Sequence, residues 1–259
     1  MLLAMMLGIG LAAAAPPAEG SGHEVVVLTW NIFHGDHGGV DEIADAVRAS
    51  GADVVSLQEV DAWRDRSGCV DQAADIADAL GMTAVFGANL ESSGSECGGG
   101  TGPGLHGDAL LSRFPVLESR HTLLPNGGGE QRGLLEAVLD LGDGRRLRAA
   151  STHFEYRDGG ERGDQAEAVA DQLATSPEPV VVMGDLNGTP GDSALDPMYD
   201  EFNDAWLEAG SGDGDTHPSD SPRRRIDYVF AGEGVGVVDA HVVASDASDH
   251  LPVLARLTP

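Results

Sequence analysis

The segment TWNIFHGDHGG, residues 29–39, concentrates side chains that can bind metal ions. His34, Asp36 and His37 fall within four residues and offer imidazole and carboxylate groups, which are common metal ligands. Asn31 precedes them, at the end of an apolar run. Because consecutive residues in a Gly-rich loop do not preorganise a metal site, the pattern favours Asn31 as the functional residue. The other three are placed on the rim, and His34 is the one expected to reach a bound substrate.

Other predicted strands also end in polar residues. Loops just beyond strand ends are where α/β sheets place their functional groups, and six strand ends with an amide, carboxylate or imidazole are too many for coincidence. We interpret all six as carboxyl ends of strands. In chain order they carry Asn31, Glu59, His153, Asp185 with Asn187, Asp227, and Asp249 with His250.

The oxygen-bearing residues of this set suit a hydrolytic site. Glu59 and Asp249 are hard donors of the kind that Mg²⁺ prefers, and Asn31 adds a neutral oxygen. Asp185 lies in a Gly-Asp-Leu-Asn turn that fixes its direction, which suits a base that deprotonates water. Asn187, two residues on, is expected on the same side, where it can orient that water or a phosphate oxygen.

The nitrogen-bearing residues fit the same chemistry. His153 and His250, if protonated, would offset charge on a phosphoryl group, and Asp227 can pair with an imidazole and hold it charged. Each position alone has a plainer interpretation: an ion pair for Glu59, a core histidine for His153, a cap for Asp249, and a β-turn for GDLNGTP. The set as a whole favours catalysis.

The ordered motifs TWNI, LQEV, ALLSRFP, STHF, GDLN, RIDYVF and SDHLPV resemble the endonuclease/exonuclease/phosphatase, or DNase I-like, superfamily. That group includes nucleases, neutral sphingomyelinases and inositol polyphosphate 5-phosphatases. The resemblance runs from about residue 25 to the C-terminus. It implies a four-layer α/β sandwich and Mg²⁺- or Mn²⁺-dependent hydrolysis of a phosphoester by in-line attack of water, without a covalent intermediate.

The resemblance also implies a role for each matched residue. Asn31 and Glu59 correspond to metal-site residues, and Asp249 to a metal or second-site ligand. Asp185 corresponds to the base, with Asn187 beside it. The remaining matches are the phosphate-contacting histidine His250, its partner Asp227, and the second histidine His153.

Two features depart from the family pattern. Many relatives have Asn before the LSR motif, whereas this chain has Asp108 in GDALLSR. A carboxylate there would repel a phosphate unless it were protonated or bound to metal, which puts that contact in doubt. The insert at 91–107 contains no aromatic residue, so we predict no platform for stacking DNA bases.

Hydrophobic and turn patterns predict the elements that position these residues. Helical spacing occurs at 40–50, 70–81 and 161–174, with Gly at the first two ends, and a Gly-Asp-Gly turn predicts a hairpin across 133–154. Strands outnumber helices, so we expect an α/β domain with two mixed sheets packed face to face and helices outside. No linker is visible, so residues 24–259 are predicted to form one domain.

The chain is strongly acidic, with 43 Asp and Glu against 15 basic residues, all of them Arg, and a net charge of −28. This charge opposes tight non-specific binding of nucleic acid. Arg132 leads toward the predicted site, and Arg225 stands in a run of three arginines before Asp227. We predict that both contact an anionic phosphoester substrate, although a solvated loop explains the run equally well.

The N-terminus and the cysteines predict an exported protein. Residues 1–15 form an apolar run too short to span a membrane easily, and we interpret residues 1–20 as a signal peptide with the mature N-terminus. A buried or frayed N-terminal helix is the alternative. Cys69 and Cys97 lie in loop-like segments and are predicted to form a disulfide, with two free thiols as the alternative.

These observations together predict a secreted, monomeric, metal-dependent phosphodiesterase without a transmembrane segment in its mature form. Nucleic acid and phospholipid head groups are both candidate substrates. The alternatives are a phosphomonoesterase of the same fold and a non-catalytic binding module, which would be expected to have lost residues at the strand ends.

Overall fold

The computed structural model describes residues 24–98 and 102–259, so the predicted signal peptide lies outside the described residues. Within these ranges, twelve strands form two mixed sheets of six strands each. The strands are β1 (Val25–Asn31), β2 (Val54–Ala62), β3 (Thr83–Glu91), β4 (Leu105–Ser112), β5 (Val116–Leu123), β6 (Gly133–Gly142), β7 (Arg145–His153), β8 (Val180–Asp185), β9 (Asn203–Asp204), β10 (Asp227–Ala231), β11 (Gly236–Val242) and β12 (Val253–Thr258).

The strand order is β11-β12-β1-β2-β4-β3 in one sheet and β5-β6-β7-β8-β10-β9 in the other. In the described part of the chain, five α-helices accompany them: α1 (Gly39–Ser50), α2 (Gln72–Leu80), α3 (Gly159–Leu173), α4 (Asp196–Glu201) and α5 (Ala205–Ala209). None of the helices in the described ranges is long and apolar enough to cross a membrane.

Three apolar clusters divide the molecule into four layers. Val27, Leu135 and Met183 belong to the cluster between the two sheets. The outer face of the first sheet packs on α1 and α2, and the outer face of the second packs on α3 and α4. Strands β1 and β8 are buried along nearly their whole length, which explains their continuous apolar sequences. The predicted four-layer sandwich is confirmed.

A small polar layer joins the two sheets beneath the strand ends. The Ser56 hydroxyl on β2 donates to the Ser151 hydroxyl on β7 at 2.7 Å, and the Gln58 amide donates to Ser56 at 2.7 Å. All three side chains are buried. Satisfied buried hydrogen bonds specify one register between packed sheets, so this layer fixes how the ends of β2 and β7 face each other.

The strand ends do meet at one edge, but not all of them are carboxyl ends. Asp227 is the first residue of β10 and pairs in register with Asp185, the last residue of β8, because these strands are antiparallel. Asp249 and His250 precede β12, which is antiparallel to β1. The interpretation of Asp227, Asp249 and His250 as carboxyl-end residues was therefore wrong, although antiparallel pairing brings them to the same edge.

The helix boundaries follow the predicted stops. Gly51 and Gly81 end α1 and α2 in the left-handed conformation, at φ values of 71° and 65°, which glycine adopts without steric cost.

Between residues 193 and 209, a short helical turn, α4, β9 and α5 were not predicted. These elements are only two to six residues long, too short for a hydrophobic period to show.

Candidate active site

A cavity of about 420 Å³ opens at the edge where these strand ends meet. Its size is within the roughly 300–1,000 Å³ of typical small-molecule sites. Imidazoles, guanidinium groups and carboxylates dominate its walls, with a few apolar side chains among them. The lining residues are Phe33, His34, Glu59, Arg66, His106, Glu130, Arg132, His153, Tyr156, Asp185, Asn187, His217, Arg224, Ile226 and His250.

Local backbone distortion aims several of these side chains into the cavity. Seven non-glycine residues in the described ranges have positive φ, and four of them line the cavity: Phe33, His34, Glu59 and Asn187. At Glu59, φ is 57° and the pairing of β2 with β4 shifts register, which marks a bulge. Such conformations cost about 1–3 kcal/mol each and persist where the surrounding structure enforces them. The bulge turns Glu59 out of the strand's regular alternation.

Asn31 connects the two halves of the site. Its Nδ2 donates to Glu59 Oε1 at 3.1 Å and to Asp185 Oδ2 at 3.2 Å, and its Oδ1 accepts from the Phe33 N–H at 3.0 Å. The Asn31 carbonyl accepts from the Ser248 hydroxyl at 2.7 Å. Asn31 is buried and fully engaged, so the structure places it as a brace between two carboxylates.

Glu59 has the character of a ligand for a hard cation. Burial acts to raise its pKa, but His34, with Nδ1 3.7 Å from Oε2, together with the hydrogen bond from Asn31, holds the pKa well below its usual range. Its carboxylate is therefore ionised and faces the cavity. An ionised oxygen donor beside an amide fits Mg²⁺ or Mn²⁺, so these residues are compatible with the divalent metal that the sequence predicts.

Asp185 lies at the centre of the cavity floor. Its Oδ1 accepts from the Asn187 N–H at 2.9 Å, and its Oδ2 lies 3.4 Å from His153 Nε2 and 3.7 Å from His250 Nε2. Burial and the neighbouring Asp227 raise its pKa to about 7, although His250 opposes this change. A carboxyl group near neutrality can accept a proton and later release it, which is what a general base requires.

His250 is held in the charged form. Its Nδ1 donates to Asp227 Oδ2 at 2.9 Å, and the Thr216 hydroxyl donates to the same oxygen. Burial acts to lower its pKa, but Asp227 and Asp185 outweigh it and raise the pKa to about 10. Its Nε2 remains for the cavity, so His250 presents a cationic donor to an anionic group.

His153 is held in the neutral form. Burial and the Arg132 guanidinium hold its pKa well below the ordinary value. Arg132 Nη1 lies 3.0 Å from Nδ1, and a guanidinium can only donate, so Nδ1 accepts and the ring proton is on Nε2. Asn187 Nδ2, which lies 3.0 Å from Nε2, then donates to the Phe154 carbonyl, also at 3.0 Å. The expectation of a charged histidine here is not what the structure shows, because its nearest charge is positive. The neighbouring Arg132 supplies the cation instead.

The structure separates two predicted residues from the cavity lining. Asp249 is partly exposed, with Oδ2 3.8 Å from His217 Nε2, and it does not line the cavity. Arg225 is buried, pairs with Asp204 at 2.8 Å and stacks over the Tyr228 ring. The prediction that Arg225 contacts substrate is therefore corrected: successive side chains in an extended segment point to opposite sides, and it is Arg224 that lines the cavity.

Asp108, the departure from the family pattern, lies beneath the cavity rather than in its lining. Burial raises its pKa to about 6, although the hydrogen bond that Asn89 Nδ2 donates to Oδ2 at 2.8 Å acts to lower it. Its other oxygen is buried without a hydrogen-bond partner among the described residues. With a pKa of about 6, protonation removes the repulsion that the sequence raised as a doubt only below that pH. At neutral pH its distance from the cavity lining is what separates this carboxylate from a substrate.

Arg66, His106 and His217 line the cavity but were not predicted. None ends a predicted strand: Arg66 lies in the short helical turn Asp65–Ser67, His217 lies in a loop, and His106 lies within β4. The His217 ring packs on His250 at a centroid distance of 4.6 Å, and its Nδ1 lies 2.7 Å from Arg224 Nη2.

The predicted disulfide between Cys69 and Cys97 is present.

This fold and site define the phosphoester-hydrolysing class of two-sheet sandwiches. Residues 28–250 match the sequence profile of the endonuclease/exonuclease/phosphatase family, and the chain belongs to that family. Its members are in general hydrolases that act on phosphoesters, so the family resemblance found in the sequence is confirmed.

Several known proteins are similar to the chain. The uncharacterized protein YbhP of Escherichia coli is 26% identical over 241 residues, which is 83% of this chain and 87% of YbhP. Protein cwh43 of Schizosaccharomyces pombe is 34% identical over 147 residues, but that match spans only 14% of its length. An endonuclease/exonuclease/phosphatase structure from Beutenbergia cavernae has a TM-score of 0.71 and 27% identity, over 91% of this chain and 72% of the other.

Proposed function

We propose that this protein is a divalent-metal-dependent phosphodiesterase that uses Asp185 to activate the attacking water. One observation carries the proposal: an ionised Glu59, a near-neutral Asp185 and a cationic His250 converge on one cavity floor. Hydrolysis of a phosphoester needs these three functions, namely a site for a hard cation, a base and a donor to the phosphoryl oxygens.

The residues divide the reaction between them. Asp185 takes a proton from water, and Asn187, whose backbone N–H holds Asp185 Oδ1, helps to fix the direction of attack. His250 donates through Nε2 to a phosphoryl oxygen, with Asp227 keeping it charged. His153 contributes a neutral Nε2–H, and Arg132 behind it adds the positive charge.

Glu59, with Asn31 beside it, would hold the metal. A bound Mg²⁺ or Mn²⁺ would polarise the phosphoryl group and stabilise the leaving oxygen. Asp249 stays a proposed ligand of a second metal site, with His217 as its nearest candidate partner: Asp249 Oδ2 lies 3.8 Å from His217 Nε2.

Charge and shape support an anionic diester as the substrate. Arg132 and Arg224 line the cavity of a chain whose net charge is −28. The apolar side chains of Phe33, Tyr156 and Ile226 stand among them. A cavity with polar and apolar walls can accept organic groups on both sides of a phosphorus atom, which a diester requires. A phosphomonoesterase of the same fold is the alternative.

We also propose that the protein is secreted and acts as a monomer. The Cys69–Cys97 disulfide supports export, because such bonds persist mainly in oxidising compartments. Residues 1–20 are the proposed signal peptide.

The test is a hydrolysis assay of the purified protein with Mg²⁺, Mn²⁺ or EDTA. Plasmid DNA, RNA, sphingomyelin, bis(p-nitrophenyl) phosphate and p-nitrophenyl phosphate cover the diester and monoester classes. We expect diester cleavage that EDTA abolishes, and Glu59→Gln should lose it while the exposed Glu118→Gln keeps it. Full activity in EDTA, or in Glu59→Gln, would refute the metal-dependent mechanism, and preference for the monoester would favour the alternative.

A further inference from the structure

One cationic corner of the cavity has no part in the proposed hydrolysis. Arg66 belongs to the short helical turn Asp65–Ser67, and with His106 of β4 it lines the cavity. Among the hydrogen bonds of the described residues, none joins Arg66 or His106 to the groups around Asp185. A guanidinium and an imidazole are therefore available in this corner for a group other than the one that is hydrolysed.

A buried carboxylate holds this corner rigid. Asp61 near the end of β2 is fully buried and accepts Arg66 Nε at 2.7 Å and Nη2 at 2.8 Å. His106 Nδ1 lies 2.7 Å from the Asp61 Oδ1 that Nη2 also contacts, and 3.0 Å from Nη2 itself. Bidentate pairing fixes the plane of a guanidinium, so both cavity-lining side chains are oriented from behind by one residue.

The outer edge of the Arg66 guanidinium remains for a ligand. The side chain is 41% exposed, and Nη1 has no hydrogen-bond partner among the described residues. Asp61 and His106 engage Nε and Nη2, so Nη1 can donate both of its N–H groups to a phosphate from a guanidinium whose plane is fixed. In a protein this acidic, a preorganised arginine inside the cavity selects for negative charge in that position.

The disulfide lies next to this arginine. Cys69 is three residues beyond Arg66, and its bond to Cys97 ties the loop at 63–70 to the loop at 92–98. Arg64 and Glu96 form an ion pair at 3.0 Å between the same two loops. The segment that carries Arg66 is thus fixed on one side by Asp61 and on the other by a covalent crosslink.

We propose that Arg66, positioned by Asp61 and the Cys69–Cys97 disulfide, binds a second phosphate group of the substrate, besides the phosphate that is hydrolysed. The proposal rests on the proposed function, which it extends by naming the substrate class: phosphodiesters that carry a further phosphate group.

Binding of two nucleotides that differ by one phosphate tests the subsite. We would measure by calorimetry the Kd of thymidine 3′,5′-bisphosphate and of thymidine 5′-monophosphate, both in Mg²⁺. The wild-type protein should bind the bisphosphate about 10–100-fold more tightly, as expected for a charged hydrogen-bonded contact. Arg66→Gln should reduce this ratio to about one and leave the monophosphate Kd unchanged.

The matched control is Arg64→Gln in the same loop, since Arg64 pairs with Glu96 and does not line the cavity. This variant should retain the preference for the bisphosphate. Equal affinity of the wild-type protein for the two nucleotides, failure to bind the bisphosphate, or an unchanged ratio in Arg66→Gln would overturn the proposal.

Turnover separates the subsite from the proposed function. Bis(p-nitrophenyl) phosphate carries a single anionic group, so Arg66→Gln should hydrolyse it at the wild-type rate, and a large loss would place Arg66 in hydrolysis itself. A wild-type protein that prefers the bisphosphate but hydrolyses no ester would refute the proposed function and leave the subsite standing. The double variant Cys69→Ser, Cys97→Ser should lose most of the bisphosphate preference; if it kept all of it, the disulfide would have no part in the subsite.

Discussion

His153 and His250 occupy two corners of the same cavity and differ in one respect. Both are buried, and both have Nε2 within 4 Å of Asp185 Oδ2. Burial lowers the pKa of each, yet the pKa of His250 rises to about 10 while that of His153 falls well below its ordinary value. The Nδ1 partner is the difference: Asp227 in one corner and Arg132 in the other.

This difference shows that the residue behind an imidazole, rather than its burial, decides which form the substrate meets. A carboxylate behind His250 gives a cationic donor, whereas a guanidinium behind His153 gives a neutral donor. Asp185 stands between the two corners, with Oδ2 3.4 Å from His153 Nε2 and 3.7 Å from His250 Nε2. The cavity therefore presents an asymmetric set of donors to a phosphate. One positive charge lies on the His250 ring itself, whereas the other lies on Arg132, behind the neutral His153 ring.

Removing the shared carboxylate should have the largest effect. Asp185→Asn eliminates the base, so kcat should fall about 10²–10⁴-fold, whereas Asp171→Asn on the exposed face of α3 should retain full activity. Because the pKa of Asp185 is raised to about 7, the base form is present above that pH and is lost as the pH falls through it. Wild-type kcat should decline below about pH 7, and a pH-rate profile without that limb would contradict this role.

Substitution of Asp227, the carboxylate partner of His250, should have the next largest effect. Asp227→Asn removes the charge that raises the pKa of His250, so the ring should become neutral near pH 7 and kcat should drop about 10²–10³-fold, as for loss of a preorganised donor. Steady-state kinetics from pH 6 to 10 measures both changes. If the pH-rate profile of Asp227→Asn kept its upper limb near pH 10, Asp227 would not be the residue that keeps His250 charged.

Substitution of Arg132, the cationic partner of His153, should have a smaller effect, mainly on substrate binding. Arg132→Gln removes a cation but leaves the imidazole able to donate, so KM should rise about 10-fold with a smaller change in kcat. The control is Arg113→Gln, an arginine near Asp53 outside the cavity. If kcat fell as far as in Asp227→Asn, the two corners would be equivalent and the distinction between them would be lost.

The smallest effect is expected at His37. This residue is exposed in the loop after β1 and does not line the cavity, so His37→Ala should change kcat/KM by less than about twofold, the range of ordinary surface substitutions. A loss comparable to that of Arg132→Gln would mean that the His-Asp-His segment is a functional metal site after all.

The periodicity of the strands and the main helices predicted two packed sheets with helices outside, and the family resemblance implied the four-layer sandwich. The sequence also identified the strand-end residues, of which Asn31, Glu59, Asp185, Asn187 and His153 do lie together. Such residues can be recognised because the end of a strand fixes where its neighbour must lie, even when strand direction is misassigned, as it was for Asp227.

The sequence could not predict which side chains face the cavity or whether a buried histidine is charged. The choice between Arg224 and Arg225 depends on which side of an extended segment faces the cavity, and one residue of register reverses it. The neutral state of His153 depends on Arg132, which arrives from the neighbouring strand. Arg66 was missed because its orientation depends on Asp61 and on a crosslink to Cys97, neither of which shows in a local pattern.

The most direct test of this account is an NMR titration of the histidine side-chain nitrogens in the metal-free protein. We predict that His250 stays protonated on both nitrogens up to about pH 10. We predict that His153 is neutral at pH 7, with its proton on Nε2. Assignment follows from loss of one signal in His153→Gln and of the other in His250→Gln. If both rings titrated together near the ordinary pKa, or if His153 were the charged one, the proposed division between the two corners would be wrong.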